Sequence, residues 1–127
     1  MVERNSRDLR LLLVEDVEDT RLFMRLQLED LGFIVFEADD GQRAVEIARD
    51  EMPDVVLMDL SLPHLDGFEA AKLIRKHEGL ESALIIAVTA HHEQDFRAGA
   101  KASGFDAYVT KPIDVAWLKE LIDGLLT

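Results

Sequence analysis

The stretch VVLMD at residues 55–59 determines how this chain of 127 residues can fold. Four consecutive apolar residues, with the β-branched Val55 and Val56 leading, favour a strand, and the run is too short for a helix. A strand without alternating polar residues is buried on both faces, which is typical of a parallel sheet covered by helices. Asp59 then marks the carboxyl end of this strand.

Four further apolar runs of similar character lie along the chain, with amphipathic stretches between them. They cover residues 11–14, 34–36, 84–88 and, more weakly, 107–109. We expect the runs at 11–14 and 84–88 to be fully buried, as at 55–58. Glycine, proline and capping residues delimit the helices. The predicted helices cover residues 19–31, 41–50, Gly67–Lys76, 94–102 and the segment from Asp114 onward.

The strand and helix alternate five times, which predicts a single α/β domain of the doubly wound (βα)5 class. Residues 1–8 are predicted to be an N-terminal tail and residues 9–127 the domain. Because the last predicted helix runs to the end of the chain, we expect no further domain.

Composition excludes several classes of function. The chain has 26 acidic and 14 basic residues, a formal net charge of -12 and no cysteine. Such a surface repels a phosphate backbone, so direct nucleic-acid binding is not expected, and disulfide or thiolate chemistry is excluded. The apolar runs are too short to span a membrane, and no apolar signal segment follows the first residues. We therefore expect a soluble, cytoplasmic protein.

Ligands of open α/β sheets bind at the carboxyl ends of the strands. Glu15 and Asp16 follow the first strand, Asp59 the third, Thr89 the fourth and Lys111 the fifth. Three neighbouring carboxylates repel one another and need a counter-charge, which Lys111 and a hard cation such as Mg²⁺ can supply. The loop at residues 61–63, directly after Leu60, could add a backbone carbonyl as a further ligand. With these charges neutralised, Asp59 can attack phosphorus and become an aspartyl phosphate.

Each of these residues has an ordinary structural interpretation when it is taken alone. Glu15 and Asp16 could cap a helix, Asp59 could be a turn residue, and Lys111 could be a solvated surface lysine. Their combination at one edge of the sheet favours a functional site.

The motifs at this edge resemble those of the receiver domains of two-component response regulators, over residues 9–126. The resemblance is carried by LVED at 13–16, MDLSLP at 58–63, DG at 66–67, VTA at 88–90 and KP at 111–112. It implies a five-stranded parallel sheet of order 2-1-3-4-5. It also implies that Mg²⁺ is held by Glu15, Asp16, Asp59 and the Ser61 carbonyl, and that a histidine kinase or phosphotransfer protein phosphorylates Asp59.

The same resemblance implies roles for four more residues. Thr89 and Lys111 would contact the phosphoryl oxygens, and Tyr108 would swing inward behind Thr89 as the switch. A cis peptide bond between Lys111 and Pro112 would aim the lysine inward. A downstream protein or a second copy would bind the face made by the fourth helix, fifth strand and fifth helix. Such a domain catalyses only its own phosphorylation and dephosphorylation, so it is a signalling protein and not a metabolic enzyme.

Other functions are less compatible with the sequence. The chain could be a receiver segment of a larger hybrid kinase or transcription regulator instead of a single-domain regulator, or a degenerate receiver that only binds partners. An aspartate-nucleophile phosphohydrolase would need a second aspartate where Ser61 stands. A flavodoxin-like cofactor site is disfavoured because Glu15 and Asp16 would repel phosphate.

The chain departs from the family pattern at Glu15, which stands where receivers more often have aspartate.

Trp117, the single tryptophan, is predicted to lie at the edge of the apolar stripe of the last helix. That stripe comprises Val115, Leu118, Leu121, Ile122 and Leu125. Trp117 either flanks the seam between helix and sheet or anchors a binding partner, since tryptophan is enriched at binding hot spots.

Overall fold

Strands and helices alternate in the computed structural model, which describes residues 9–60, 66–89 and 104–126. The elements are β1 (Arg10–Val14), α1 (Glu18–Asp30), β2 (Ile34–Ala38), α2 (Gly41–Glu51), β3 (Val55–Asp59), α3 (Gly67–Lys76), β4 (Leu84–Thr89), β5 (Ala107–Thr110) and α4 (Val115–Leu126). The predicted helix at 94–102 lies outside the described residues, so α4 is the last helix predicted from the sequence.

The five strands form one parallel sheet in the order β2-β1-β3-β4-β5. This confirms the order that the resemblance implies. All of β3 and β4, and β1 after its first residue, are buried, as predicted from their unbroken apolar runs. The reversal of strand order lies between β1 and β3, which places the loops after these two strands beside each other.

Alternate residues of the central strands pack into two hydrophobic layers, one on each face of the sheet. Leu13 and Leu57 contribute to the layer beneath α1 and α4, together with Leu118. Leu12 and Val56 contribute to the opposite layer, beneath α2 and α3. Each fully buried side chain of this size contributes about 1.5–3 kcal/mol relative to an exposed one. These layers hold the strand ends in fixed positions.

Aspartate side chains cap three of the helices at their N-termini. Asp40 accepts a hydrogen bond from the Arg43 N–H and Asp66 from the Glu69 N–H. Asp114 accepts from the Trp117 N–H at 3.1 Å, which confirms the cap predicted for the last helix. Each such cap contributes about 1 kcal/mol.

The buried side of α4 differs from the predicted stripe. Val115, Leu118 and Ile122 are buried, whereas Leu125 is 42% exposed. At ~100° per residue, Trp117 lies about 130° from the centre of the three buried residues, further outward than predicted. Trp117 is accordingly 51% exposed. The predicted stripe included Leu125 because it is apolar. In the structure Leu126, and not Leu125, packs against the core beneath α4.

The peptide bond between Lys111 and Pro112 is cis, as expected. Among the helices that the structure describes, none has the length and apolar character required to cross a bilayer.

Candidate functional site

Three carboxylates meet at the carboxyl edge of the sheet, as predicted. Glu15 and Asp16 follow β1, and Asp59 is the last residue of β3. One carboxylate oxygen from each residue lies within 4.8 Å of the others. This spacing suits a single hard cation with oxygen ligands. Ser61, the fourth predicted ligand, lies outside the described residues.

Lys111 supplies the predicted counter-charge from the loop after β5. Its Nζ donates to Asp59 Oδ2 at 2.9 Å and to Glu15 Oε1 at 3.3 Å. One ammonium group therefore bridges the two carboxylates at the carboxyl ends of the neighbouring strands β1 and β3.

Burial makes it energetically costly to keep the carboxylates of this cluster charged. Glu15 and Asp59 are 2% and 3% exposed, whereas Asp16 is exposed to solvent. Burial raises the pKa of Glu15 above its ordinary value of 4.5, and the negative charge of Asp59 raises it further. The hydrogen bond from the Val17 N–H and the positive charge of Lys111 lower this pKa, but they do not outweigh the increase. Burial disfavours the Lys111 ammonium, but hydrogen bonding to Asp59 and the charges of both carboxylates outweigh it and raise the pKa of Lys111. A divalent cation would relieve the remaining negative charge, so these residues fit Mg²⁺.

Glu15 also supports the start of α1, which is the ordinary structural role that the sequence offered for it alone. Its Oε2 accepts the Val17 N–H at 3.1 Å, and Val17 is the N-cap of α1 without a side-chain cap of its own. Arg21 Nη1 donates to the Glu15 backbone carbonyl at 2.9 Å. The longer arm of glutamate allows one carboxylate to contact both Lys111 and the helix.

Gly67 contributes to the site in a way that sequence reasoning missed, although Asp66-Gly67 is among the motifs that carry the resemblance. A Cβ added to Gly67 would lie 2.7 Å from the Asp59 carbonyl oxygen and 3.0 Å from Leu60 Cα. Both are backbone atoms that cannot move aside as a flexible side chain can. The missing side chain therefore lets α3 begin directly against the backbone of Asp59.

Thr89 lies on β4, the strand next to that of Asp59, and Tyr108 lies on β5, the strand beyond it. Thr89 ends β4, is 2% exposed and pairs in register with Thr110 of β5. Tyr108 pairs with Ala87 and is half-buried. Since alternate residues of a strand share a face, Tyr108 lies on the same face as Thr89, one row further from the carboxyl edge.

Comparisons with known proteins agree on one family. The model of the family described as "Response regulator receiver domain" matches residues 11–123. Protein PilH of Pseudomonas aeruginosa is 34% identical over 117 residues, which cover 92% of this chain and 97% of that protein. The polar-differentiation response regulator DivK of Brucella ovis is 33% identical over 115 residues, covering 91% and 94%. The solved receiver domain of a sensor histidine kinase from P. aeruginosa, with a magnesium ion coordinated in its active site cleft, has a TM-score of 0.85 and 34% identity, covering 93% of this chain and 97% of that one.

Proposed function

The chain belongs to the response regulator receiver family, and we propose on this basis that it is a phosphorylation-dependent signalling switch whose acceptor is Asp59. The observation that carries the proposal is the hydrogen bond of 2.9 Å between Lys111 Nζ and Asp59 Oδ2 inside a buried acidic cluster. A buried carboxylate at a strand end, held by an ammonium group and flanked by two further carboxylates, has the arrangement that phosphoryl transfer needs.

In the proposed reaction, a carboxylate oxygen of Asp59 attacks the phosphorus of a phosphohistidine. The P–N bond breaks as the P–O bond forms, the histidine nitrogen takes up a proton, and the product is an acyl phosphate. Lys111 orients the Asp59 carboxylate and then stabilises charge on the phosphoryl oxygens, where the Thr89 hydroxyl also donates. Glu15, Asp16, Asp59 and the carbonyl of Ser61 would hold Mg²⁺, which would supply positive charge to neutralise the phosphoryl oxygens.

The proposed phosphodonor is a histidine kinase or a histidine phosphotransfer protein, and the proposed location is the cytoplasm. Residues 9–127 would form the receiver domain of a single-domain regulator. The similarity to PilH and DivK over nearly their whole lengths supports this, whereas the similarity to a kinase receiver domain keeps the hybrid-kinase alternative open. The net charge of -12 supports a protein partner over nucleic acid.

A small phosphodonor such as acetyl phosphate tests the proposal directly. With Mg²⁺ it should add one phosphoryl group to the chain, detected by intact mass, and chelation should prevent the addition. No labelling under any divalent cation would overturn the proposal. Repeated turnover of a simple phosphate ester would instead favour the phosphohydrolase.

Mg²⁺ affinity should depend more on Asp16 than on Glu15. Glu15 is already held by Lys111 and the Val17 N–H, whereas the Asp16 carboxylate is exposed. Asp16→Ala should therefore weaken Mg²⁺ binding several-fold more than Glu15→Ala in calorimetric titrations. Asp19→Ala removes the same charge from the first turn of α1 and serves as the control. If Glu15→Ala weakened Mg²⁺ binding more than Asp16→Ala, this division of roles would be wrong.

Without divalent cations, Glu15 should make stability fall as pH rises. Because the pKa of Glu15 is raised in the folded state, the folded chain keeps this proton at pH values where the unfolded chain has lost it. The stability that this proton contributes is fully present below the pKa of Glu15 in the unfolded chain, near 4.5. It is lost as pH rises through the pKa of Glu15 in the folded chain. Urea unfolding with a chelator should show that Glu15→Gln gains stability over the parent between about pH 4 and about pH 7. A constant difference across this range, as expected for the exposed Glu18→Gln, would contradict the prediction.

Trp117 is proposed to anchor a protein partner. It is 51% exposed on α4, and the exposed Leu125 lies two turns further along the same side. Trp117→Ala should weaken binding of the downstream partner about tenfold or more and leave phosphorylation of Asp59 unchanged. Binding as tight as that of the parent would disprove the anchor role.

A further inference from the structure

Four side chains pack around Ala87 in the middle of β4. They are Leu60, Phe68, Phe105 and Tyr108, and we call them the aromatic box. Ala87 itself is completely buried. The rings of Phe68 and Phe105 meet edge to face, with centroids 5.8 Å apart and an interplanar angle of 90°. This is a favourable geometry for an aromatic pair.

Strand register places the box beside Tyr108, the switch residue that the family resemblance implies. Ala87 pairs with Tyr108 on β5 and with Met58 on β3, so these three side chains form one row on the same face of the sheet. Ala87 contributes only a methyl group to this row. Tyr108 and the other larger members of the box therefore pack close to β4 at this position.

The box is also joined to the acceptor. Leu60 follows Asp59 in the chain, and its N–H donates to the Val88 carbonyl at 3.1 Å. Phe68 follows Gly67, whose close approach places the first turn of α3 against the Asp59 backbone. A displacement of the Asp59 backbone would therefore reach Leu60 through the peptide bond and Phe68 through Gly67.

We propose that Phe105 is a positioning residue that sets the place of the Tyr108 ring through the aromatic box. A change at Asp59 then reaches Tyr108 through Leu60, Phe68 and Phe105, in addition to the route through Thr89. This inference rests on the proposed function, because it requires that Asp59 be modified. It assigns to Phe105 an effect on the response of Tyr108 and not on the chemistry at Asp59.

The chain has a single tyrosine, so uniform labelling with fluorotyrosine gives one fluorine NMR signal that reports on Tyr108 alone. The parent signal is measured before and after addition of Mg²⁺ and beryllofluoride, which mimics an acyl phosphate. Phe105→Leu keeps the site apolar but removes the ring. The change in chemical shift on adding beryllofluoride should fall to less than about half of the parent value. Labelling of Asp59 by acetyl phosphate should remain at the parent level.

Phe33→Leu is the matched control, because Phe33 is 3% exposed and belongs to the layer on the opposite face of the sheet. Its beryllofluoride response should equal that of the parent. Ala87→Leu provides a second variant that fills the box, and it should displace the resting Tyr108 signal and suppress its response.

A response in Phe105→Leu that equals the parent response would overturn the inference, as would an equal loss in Phe33→Leu. A parent protein that neither accepts a phosphoryl group nor responds to beryllofluoride would instead contradict the proposed function. The two failures are therefore distinguishable.

Discussion

Asp59→Asn is expected to abolish phosphoryl transfer to the chain while the domain remains folded. The amide lacks the anionic oxygen that attacks phosphorus, and Glu15, the other carboxylate that Lys111 contacts, accepts at the longer distance of 3.3 Å. The substitution keeps the side-chain shape and removes one of two buried negative charges. Unit charges at ~4 Å repel by about 4 kcal/mol at an effective dielectric of 20, so losing one charge partly offsets the loss of the ion pair with Lys111.

Intact mass after incubation with acetyl phosphate and Mg²⁺ measures the effect. Asp66→Asn is a suitable control, because asparagine can still cap α3 through the Glu69 N–H and the charge change is the same. This control should be labelled like the parent. Labelling of Asp59→Asn to the parent level would refute the assignment of the acceptor.

Gly67→Ala should destabilise the domain and slow phosphorylation of Asp59. The added Cβ would lie 2.7 Å from the Asp59 carbonyl oxygen, so either α3 or the acceptor backbone must shift. Overpacking of this kind costs about 1–3 kcal/mol, although alanine is otherwise the better residue within a helix. Since the shifted backbone belongs to the acceptor, we expect slower labelling by acetyl phosphate as well as a lower midpoint of urea unfolding.

Gly124→Ala gives the matched comparison on α4. A Cβ at Gly124 meets nothing within 4 Å, so this variant should gain up to about 1 kcal/mol from helix propensity. Labelling of Asp59 should be unchanged. If both glycine variants gained stability equally, the close approach of α3 to Asp59 would have no energetic importance.

Much of the candidate site was predictable from strand ends alone. Because the carboxyl ends of parallel strands share one edge, the positions of Glu15, Asp59 and Lys111 after their strands sufficed to predict that they meet. The sequence could not predict which oxygen contacts which partner. Glu15 contacts both Lys111 and the Val17 N–H, and this depends on side-chain rotamers and on the separation of two loops that are distant in sequence.

The sequence by itself determined the fold class, the approximate positions of the elements and the residues at the carboxyl edge. It could do so because hydrophobic periodicity and capping are local properties that act over a few residues. Tertiary structure alone decided the contact of Gly67 with the Asp59 backbone, the outward position of Trp117 and the packing of Phe105 against Phe68. Each depends on how closely a helix or loop approaches the sheet, and that distance is set by the packing of side chains from elements far apart in the chain.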